Sequence, residues 1–202
     1  MGDSLERVRF FSKLARQQVG FELEMVQNGL EPGDWKPMRI VGPGVSEIWV
    51  HIEGEHRVLY VAKFQRAVYV LHAFIKRTQK TPRGAISLAK ARYEEMLRAE
   101  GPEEMTQLGM TSKSGANVFA DLGFAPAEAE NLRIRAAMMR ALIGFVRTSK
   151  LTPARAAKLL RASPQRISDL MSGKIYLFSI DDLINLLAAA GLRIDLRVKK
   201  VV

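Results

Sequence analysis

Cysteine is absent from this 202-residue chain, so disulfides and thiolate metal sites are excluded. Histidine is scarce at three residues; His51 and His56 read as surface groups and His72 as a packed strand residue. No apolar run approaches a membrane span, because Arg or Lys interrupts every stretch. The start, Met1-Gly2-Asp3-Ser4, has neither a basic nor an apolar leader region, so a cytoplasmic location with no membrane partner is expected. Acids are also in short supply, 21 Asp and Glu against 31 Lys and Arg, for a formal net charge of +10. No cofactor is expected.

What is present suits a folded protein: 48% hydrophobic and 26% charged residues, ordinary values for a chain that buries a core. Both halves are basic. Residues 1–100 carry 16 Lys and Arg against 12 acids, and residues 101–202 carry 15 against 9. Each half could therefore meet a polyanion, unless the charge only aids solubility. A seam of Gly, Pro and small polar residues that cannot pack a core falls at 99–116 and reads as a linker. It separates a domain at 1–98 from another at 117–202.

The first domain reads as α+β, helices plus an antiparallel meander. Ser4 to Asn28 has apolar residues at helical spacing, and Gly29 can end that helix in the left-handed conformation. Glu31 to Pro37 reads as a loop. Three runs rich in Val, Ile, Tyr and Phe follow, Val45–Glu53, Arg57–Phe64 and Ala67–Phe74, with turns at Gly54-Glu55 and Gln65-Arg66. A helix from Arg83 to Leu97 closes the domain. Arg57, with Lys76, Arg77 and Lys80 beyond the third strand, forms a cluster of cations over the sheet. Such groups could hold an RNA phosphate and the charge of a cleavage transition state without a metal; a solvated basic rim is the plain alternative.

The second domain reads as all-α, a helix-turn-helix with a C-terminal strand. Asn131–Arg147 is amphipathic. Leu151–Leu160 and Ser163–Met171 are two short helices with a tight connection. Thr152 and Ser163 can cap them, and Pro153 suits a first helical position. Ala156 and Ala157 permit close approach, Leu159 and Leu160 fill the space beneath, and Ile167 and Leu170 point inward. Gln165, Arg166, Ser168 and Asp169 then face outward at the N-terminal end of the second helix, where a recognition helix meets base edges. Between Arg147 and Lys174 there are seven basic residues and one acid, Asp169. Ser163, Gln165, Arg166, Ser168, Lys174 and Arg155 are the candidate DNA contacts, Lys174 toward a phosphate; a helical hairpin with a solvated basic face is the alternative. Ser179-Ile-Asp-Asp182 opens a last helix that ends at Gly191. Leu192–Lys199 alternates apolar and charged residues, the pattern of a half-buried strand whose free edge could pair with a second copy.

Asn117-Val-Phe-Ala-Asp-Leu-Gly123, the capped helix pair, Phe178-Ser-Ile-Asp-Asp-Leu183 and the closing alternating run resemble an Xre/Cro-type antitoxin of the HigA kind. At Arg161 such antitoxins usually have Gly, and a non-Gly residue at positive φ is costly. The resemblance implies a dimer on operator DNA. Gln27-Asn-Gly-Leu-Glu-Pro-Gly-Asp-Trp-Lys-Pro-Met38, Val41-Gly-Pro-Gly-Val-Ser-Glu-Ile48, Arg57-Val-Leu-Tyr-Val-Ala-Lys-Phe64 and Tyr69-Val-Leu-His-Ala-Phe74 resemble the phage-derived HigB toxins of the RelE/ParE superfamily. That implies a RelE-like fold and a small metal-independent endoribonuclease that cuts mRNA on the ribosome and is held inactive by toxin–antitoxin contact. The chain departs from the pattern at Trp49, where an arginine is usual, and it lacks the usual short strand before Gly2. The two resemblances together imply a toxin–antitoxin fusion. It is expected to act as a DNA-binding autoregulator with an inactive or neutralised toxin domain, or else as a latent ribonuclease.

Overall fold

The computed structural model describes residues 3–64, 67–77, 80–98, 111–113 and 117–198. It divides into two compact units, Met1–Arg133 and Ile134–Val202. The expected turn at Gln65-Arg66 lies outside the described residues, as does most of the stretch read as a linker.

Two helices open the first unit, α1 (Ser4–Arg9) and α2 (Lys13–Gln27). The spacing of apolar residues suggested one helix from Ser4 to Asn28. The break comes at Ser12, whose hydroxyl accepts from the Ala15 N–H at 3.3 Å and so caps a new helix. The sheet has five strands in sequence order, all antiparallel to their neighbours. They are β1 (Trp35–Pro37), β2 (Val45–His51), β3 (Glu55–Phe64), β4 (Ala67–Ile75) and β5 (Thr111–Lys113). β1 lies in a stretch read as a loop; its three residues pair with Ser46 to Ile48. β5 lies within the stretch read as a linker and supplies an edge strand beside β4.

Helix α3 (Arg83–Arg98) packs Ala89, Tyr93 and Met96 onto Val45, Leu59, Val61, Tyr69 and Leu71. Tyr93 fits because Gly42 leaves room: a Cβ there would lie 2.4 Å from the ring. The Tyr93 hydroxyl also donates to the Pro43 carbonyl at 2.9 Å. The alternate residues Ile48, Val50 and Val58 are buried too, as expected where helices cover both faces of a sheet. α1 runs along β4, and α2 crosses β2, β3 and β4.

The first unit also takes in a short helix, α4 (Val118–Asp121), and the start of a long one, α5 (Pro126–Thr148). Phe119 is fully buried against α2, where a Cβ on Gly20 would come within 2.5 Å of its ring. Arg9 donates to the Asp121 carbonyl at 2.9 Å, Lys13 pairs with Glu128 at 2.8 Å, and Arg16 lies 4.4 Å over the Phe124 ring. The division between the units falls inside α5.

The second unit continues α5 and adds α6 (Pro153–Leu159), α7 (Pro164–Met171), a 3-10 turn (Ile175–Leu177) and α8 (Ile180–Ala189). Ser179 and Asp182 form a reciprocal capping box at the start of α8. Leu192–Val198 is not a strand: it makes no ladder, and Leu196 and Val198 are 81% and 92% exposed. Alternation provides a face for a sheet to bury, but a strand also needs a neighbour to receive its backbone hydrogen bonds. Among the described residues none is offered, so the expected C-terminal strand is corrected to a tail without regular structure.

Candidate nucleic-acid interface

In the second unit, the local chemistry of each helix end sets the geometry. The Thr152 hydroxyl accepts from the Arg155 N–H at 3.4 Å, and the Ser163 hydroxyl from the Arg166 N–H at 3.1 Å. Each cap is followed by proline at the first helical position, where no N–H is missed. Both helices also end alike: Ala162 N–H bonds to the Ala157 carbonyl at 3.0 Å, and Lys174 N–H to Asp169 at 3.0 Å. Such an ending needs one left-handed residue. Gly173 supplies it after α7 with φ 66°, whereas Arg161 supplies it after α6 with φ 50°. The arginine is strained by roughly 1–2 kcal/mol relative to an ordinary backbone conformation.

Ala156, Ala157, Leu160, Ile167 and Leu170 are buried and hold α6 against α7. Leu159, expected beneath them, is instead 44% exposed. At the start of α7, Ser163, Gln165 and Ser168 are exposed. Asp169 is not outward as expected but 8% exposed. Its Oδ1 accepts from Lys174 Nζ at 2.7 Å and Gln165 Nε2 at 3.0 Å. The Lys174 ammonium holds the Asp169 carboxyl below the usual carboxylate range, and the carboxylate raises Lys174 in return. The helical period sets residue 169 one turn beyond 165, so the Gln165 amide reaches its carboxylate, and the turn at Gly173 returns Lys174 to it.

Arg166 is also engaged. Its guanidinium donates to Asp182 Oδ2 and to the Leu177 carbonyl, both at 2.8 Å, and lies 4.0 Å over the Phe178 ring. Asp182 is held below its ordinary value by the hydrogen bonds of Ser179, backbone first, with Arg166 adding to them. Arg155 stands exposed on α6. Of the six candidate DNA contacts, then, Ser163, Gln165, Ser168 and Arg155 are presented to solvent, whereas Arg166 and Lys174 are drawn into ion pairs. Asp182, the partner of Arg166, carried no signal beyond its place in the capping box.

In the first unit, the cations over the sheet gather around Trp49. Arg57 faces it across the β2–β3 register, with its guanidinium carbon 4.8 Å from the ring centre. Lys36 Nζ lies 5.1 Å and Lys76 Nζ 6.0 Å from the same ring, distances at which a cation is attracted to the indole face. The indole N–H donates to Glu47 at 2.9 Å, and Lys36 pairs with the same carboxylate at 3.4 Å. Arg57 is only 3% exposed and donates to Glu55 Oε2 at 2.7 Å and to the His56 carbonyl at 2.8 Å. Arg77 and Lys80 are exposed beyond the end of β4.

The histidines divide by environment. His51 bridges Glu55 at 2.8 Å and Asp34 at 3.0 Å, and the Glu55 bond raises its pKa. Glu55 falls to about 2 through its bonds from His51 and Arg57. His56, read as a surface group, is 2% exposed against the Phe11 ring at 4.4 Å. A bend before the second helix brings Phe11 onto it. His72 is buried as expected, and burial pushes its pKa down to about 4, so it stays neutral near pH 7. Lys36, Glu47 and Asp34 were missed from sequence, since they lie on or beside a strand that read as a loop.

Comparison with known proteins treats the two parts of the chain separately. Residues 6–94 match the family model described as phage derived protein Gp49-like, and residues 118–199 match a model described as helix-turn-helix domain. No curated protein and no solved structure matches the chain. The chain joins a Gp49-like region to a helix-turn-helix domain. Among the described residues, no helix is long and apolar enough to cross a membrane.

Proposed function

We propose that this chain is a toxin–antitoxin fusion that acts as a sequence-specific DNA-binding autoregulator, with a HigB-like domain that no longer cleaves RNA. The observation that carries the DNA reading is the capped α6–α7 pair with exposed Ser163, Gln165 and Ser168 at the start of α7. Hydroxyl and amide groups there can bond base edges, and Arg155 on α6 is free to approach a phosphate. Arg166 and Lys174 contribute in this reading by fixing the angle of α7, and reach DNA only by leaving Asp182 and Asp169. Operator DNA is the partner, read by two copies in the cytoplasm.

Loss of cleavage is supported by Arg57. Buried, bonded to Glu55 and covered by Trp49, it cannot present its charge to a developing phosphorane without breaking those contacts. A second reading, a ribosome-dependent endonuclease kept silent by its own antitoxin part, draws on the packing of α4 against α2. The test of the first reading is a gel shift of the full chain on the DNA upstream of its gene. Gln165→Ala should weaken binding at least tenfold with ordinary folding, and binding should fall steeply with salt. Affinity unchanged by Gln165→Ala and Ser168→Ala together would remove α7 as the reading helix. Growth arrest with mRNA cleavage on expression of residues 1–98 alone, with none from the full chain, would favour the second reading.

A further inference from the structure

Beside the helix pair, the second unit holds a cleft of about 1070 Å³ between α6, the turn after it and α8. Arg155, Lys158, Arg161 and Arg166 line it against one carboxylate, Asp182. That carboxylate already accepts from Arg166 and from the Ser179 N–H. The side chains of Arg155, Lys158 and Arg161 are exposed and have no hydrogen bond or ion pair among the described residues. Like charges brought together without a counter-charge repel one another. Arg161, moreover, occupies a left-handed position that glycine fills without strain at the matching end of α7. Strain of this kind persists where a fold has a use for the side chain.

The rest of the lining is of a different kind. Leu159, Leu186 and Ala189 make an apolar wall, and Asn185 adds an amide with both donor and acceptor. Guanidinium forks match phosphate oxygens, and an apolar wall with one amide suits a flat ring with a polar edge. We infer that this cleft binds a small phosphate-bearing anion of nucleotide size. The phosphates lie against Arg155, Lys158 and Arg161, and the body of the ligand rests on Leu159, Leu186 and Ala189. Arg166 connects the cleft to α7, so an occupied cleft competes with Asp182 for its guanidinium. The inference does not depend on the DNA reading, since free anions and DNA are measured apart.

The experiment is a calorimetric titration of the full chain with ADP in the absence of DNA. Pyrophosphate serves as competitor and adenosine as the uncharged control. One ADP should bind per chain, pyrophosphate should displace it, and adenosine should give no saturable heat. Arg161→Gly should weaken ADP at least tenfold without lowering the melting temperature, because glycine relaxes the turn. Arg161→Lys should stay within threefold of the parent, and Ala189→Glu should abolish binding. No saturable heat with ADP or pyrophosphate would overturn the inference, as would an ADP affinity that Arg161→Gly and Ala189→Glu leave unmoved. If ADP fails to bind and Arg161→Gly weakens the upstream DNA fragment instead, the cations serve DNA phosphates and the cleft is no ligand site.

Discussion

In the first unit, Arg57 is bonded to Glu55 and covered by Trp49, and Arg92 donates to the Leu71 carbonyl at 2.9 Å and to Asp3 at 2.6 Å. In the second, Arg155 and Arg161 stand exposed, with no side-chain partner among the described residues. Both regions are basic by composition, yet Arg57 and Arg92 are turned inward as structural links, whereas Arg155 and Arg161 are turned outward. The difference lies in the acids. Glu55 and Asp3 are placed to receive a guanidinium, whereas in the second unit Asp169 and Asp182 are taken by Lys174 and Arg166. A net charge measures how many cations a region has; the positions of its carboxylates decide which remain available for a polyanion.

The largest test of this contrast concerns where the first unit ends. Phe119→Ala should destabilise the first unit by about 3–5 kcal/mol, the usual cost of emptying a buried aromatic site. Hydrogen exchange should show lost protection in α2 while α7 keeps its own. Protection lost in α7 alone would assign α4 to the second unit and redraw the comparison. Next in size is a matched pair of arginines. Arg57→Ala should cost about 1–3 kcal/mol in urea unfolding, through lost charge-assisted hydrogen bonds tempered by the exposure of Glu55. Arg155→Ala should stay within about 0.5 kcal/mol but lower the salt dependence of DNA binding by about one phosphate contact. The reverse pattern would break the contrast.

The smallest effect is that of pH on the His51–Glu55 bridge. Glu55 raises the pKa of His51, so the stabilisation from the charged ring is present below its ordinary value of 6.5 and lost as pH rises through the raised one. Glu55, held near 2, contributes above its ordinary value of 4.5, and that contribution is lost as pH falls toward 2. The bridge is therefore strongest between those limits. A proton NMR titration should place the His51 midpoint above 6.5, and Glu55→Gln should bring it back down. A midpoint unmoved by Glu55→Gln would mean the bridge does not form in solution.

Much of the architecture was legible because it rests on local rules. Ser163, Thr152 and Ser179 cap helices, and the runs of Val, Ile and Tyr form strands; the positive φ at Arg161 was signalled by the resemblance, which has Gly at that place. What was not legible depends on partners distant in sequence. Trp35–Pro37 is a strand only because Ser46 to Ile48 pair with it. The run at Leu192–Val198 alternates well but has no neighbour among the described residues to pair with. For the candidate interface, the helix that carries Gln165 and Ser168 could be placed, but the ion pairs of Arg166 and Lys174 could not. Each arises from a turn that folds Asp182 or Asp169 back toward it.

The packing of Phe119 against Gly20 bears on what proteolysis can do to this molecule. A protease that cuts between residues 101 and 109 severs the chain well before α4. The C-terminal product keeps Phe119, Leu122 and Glu128, and the N-terminal product keeps the α2 surface that receives them. The nick should therefore leave a one-to-one pair held by that surface. The two products should co-elute on a sizing column where the uncut chain does, and part when a denaturant is added.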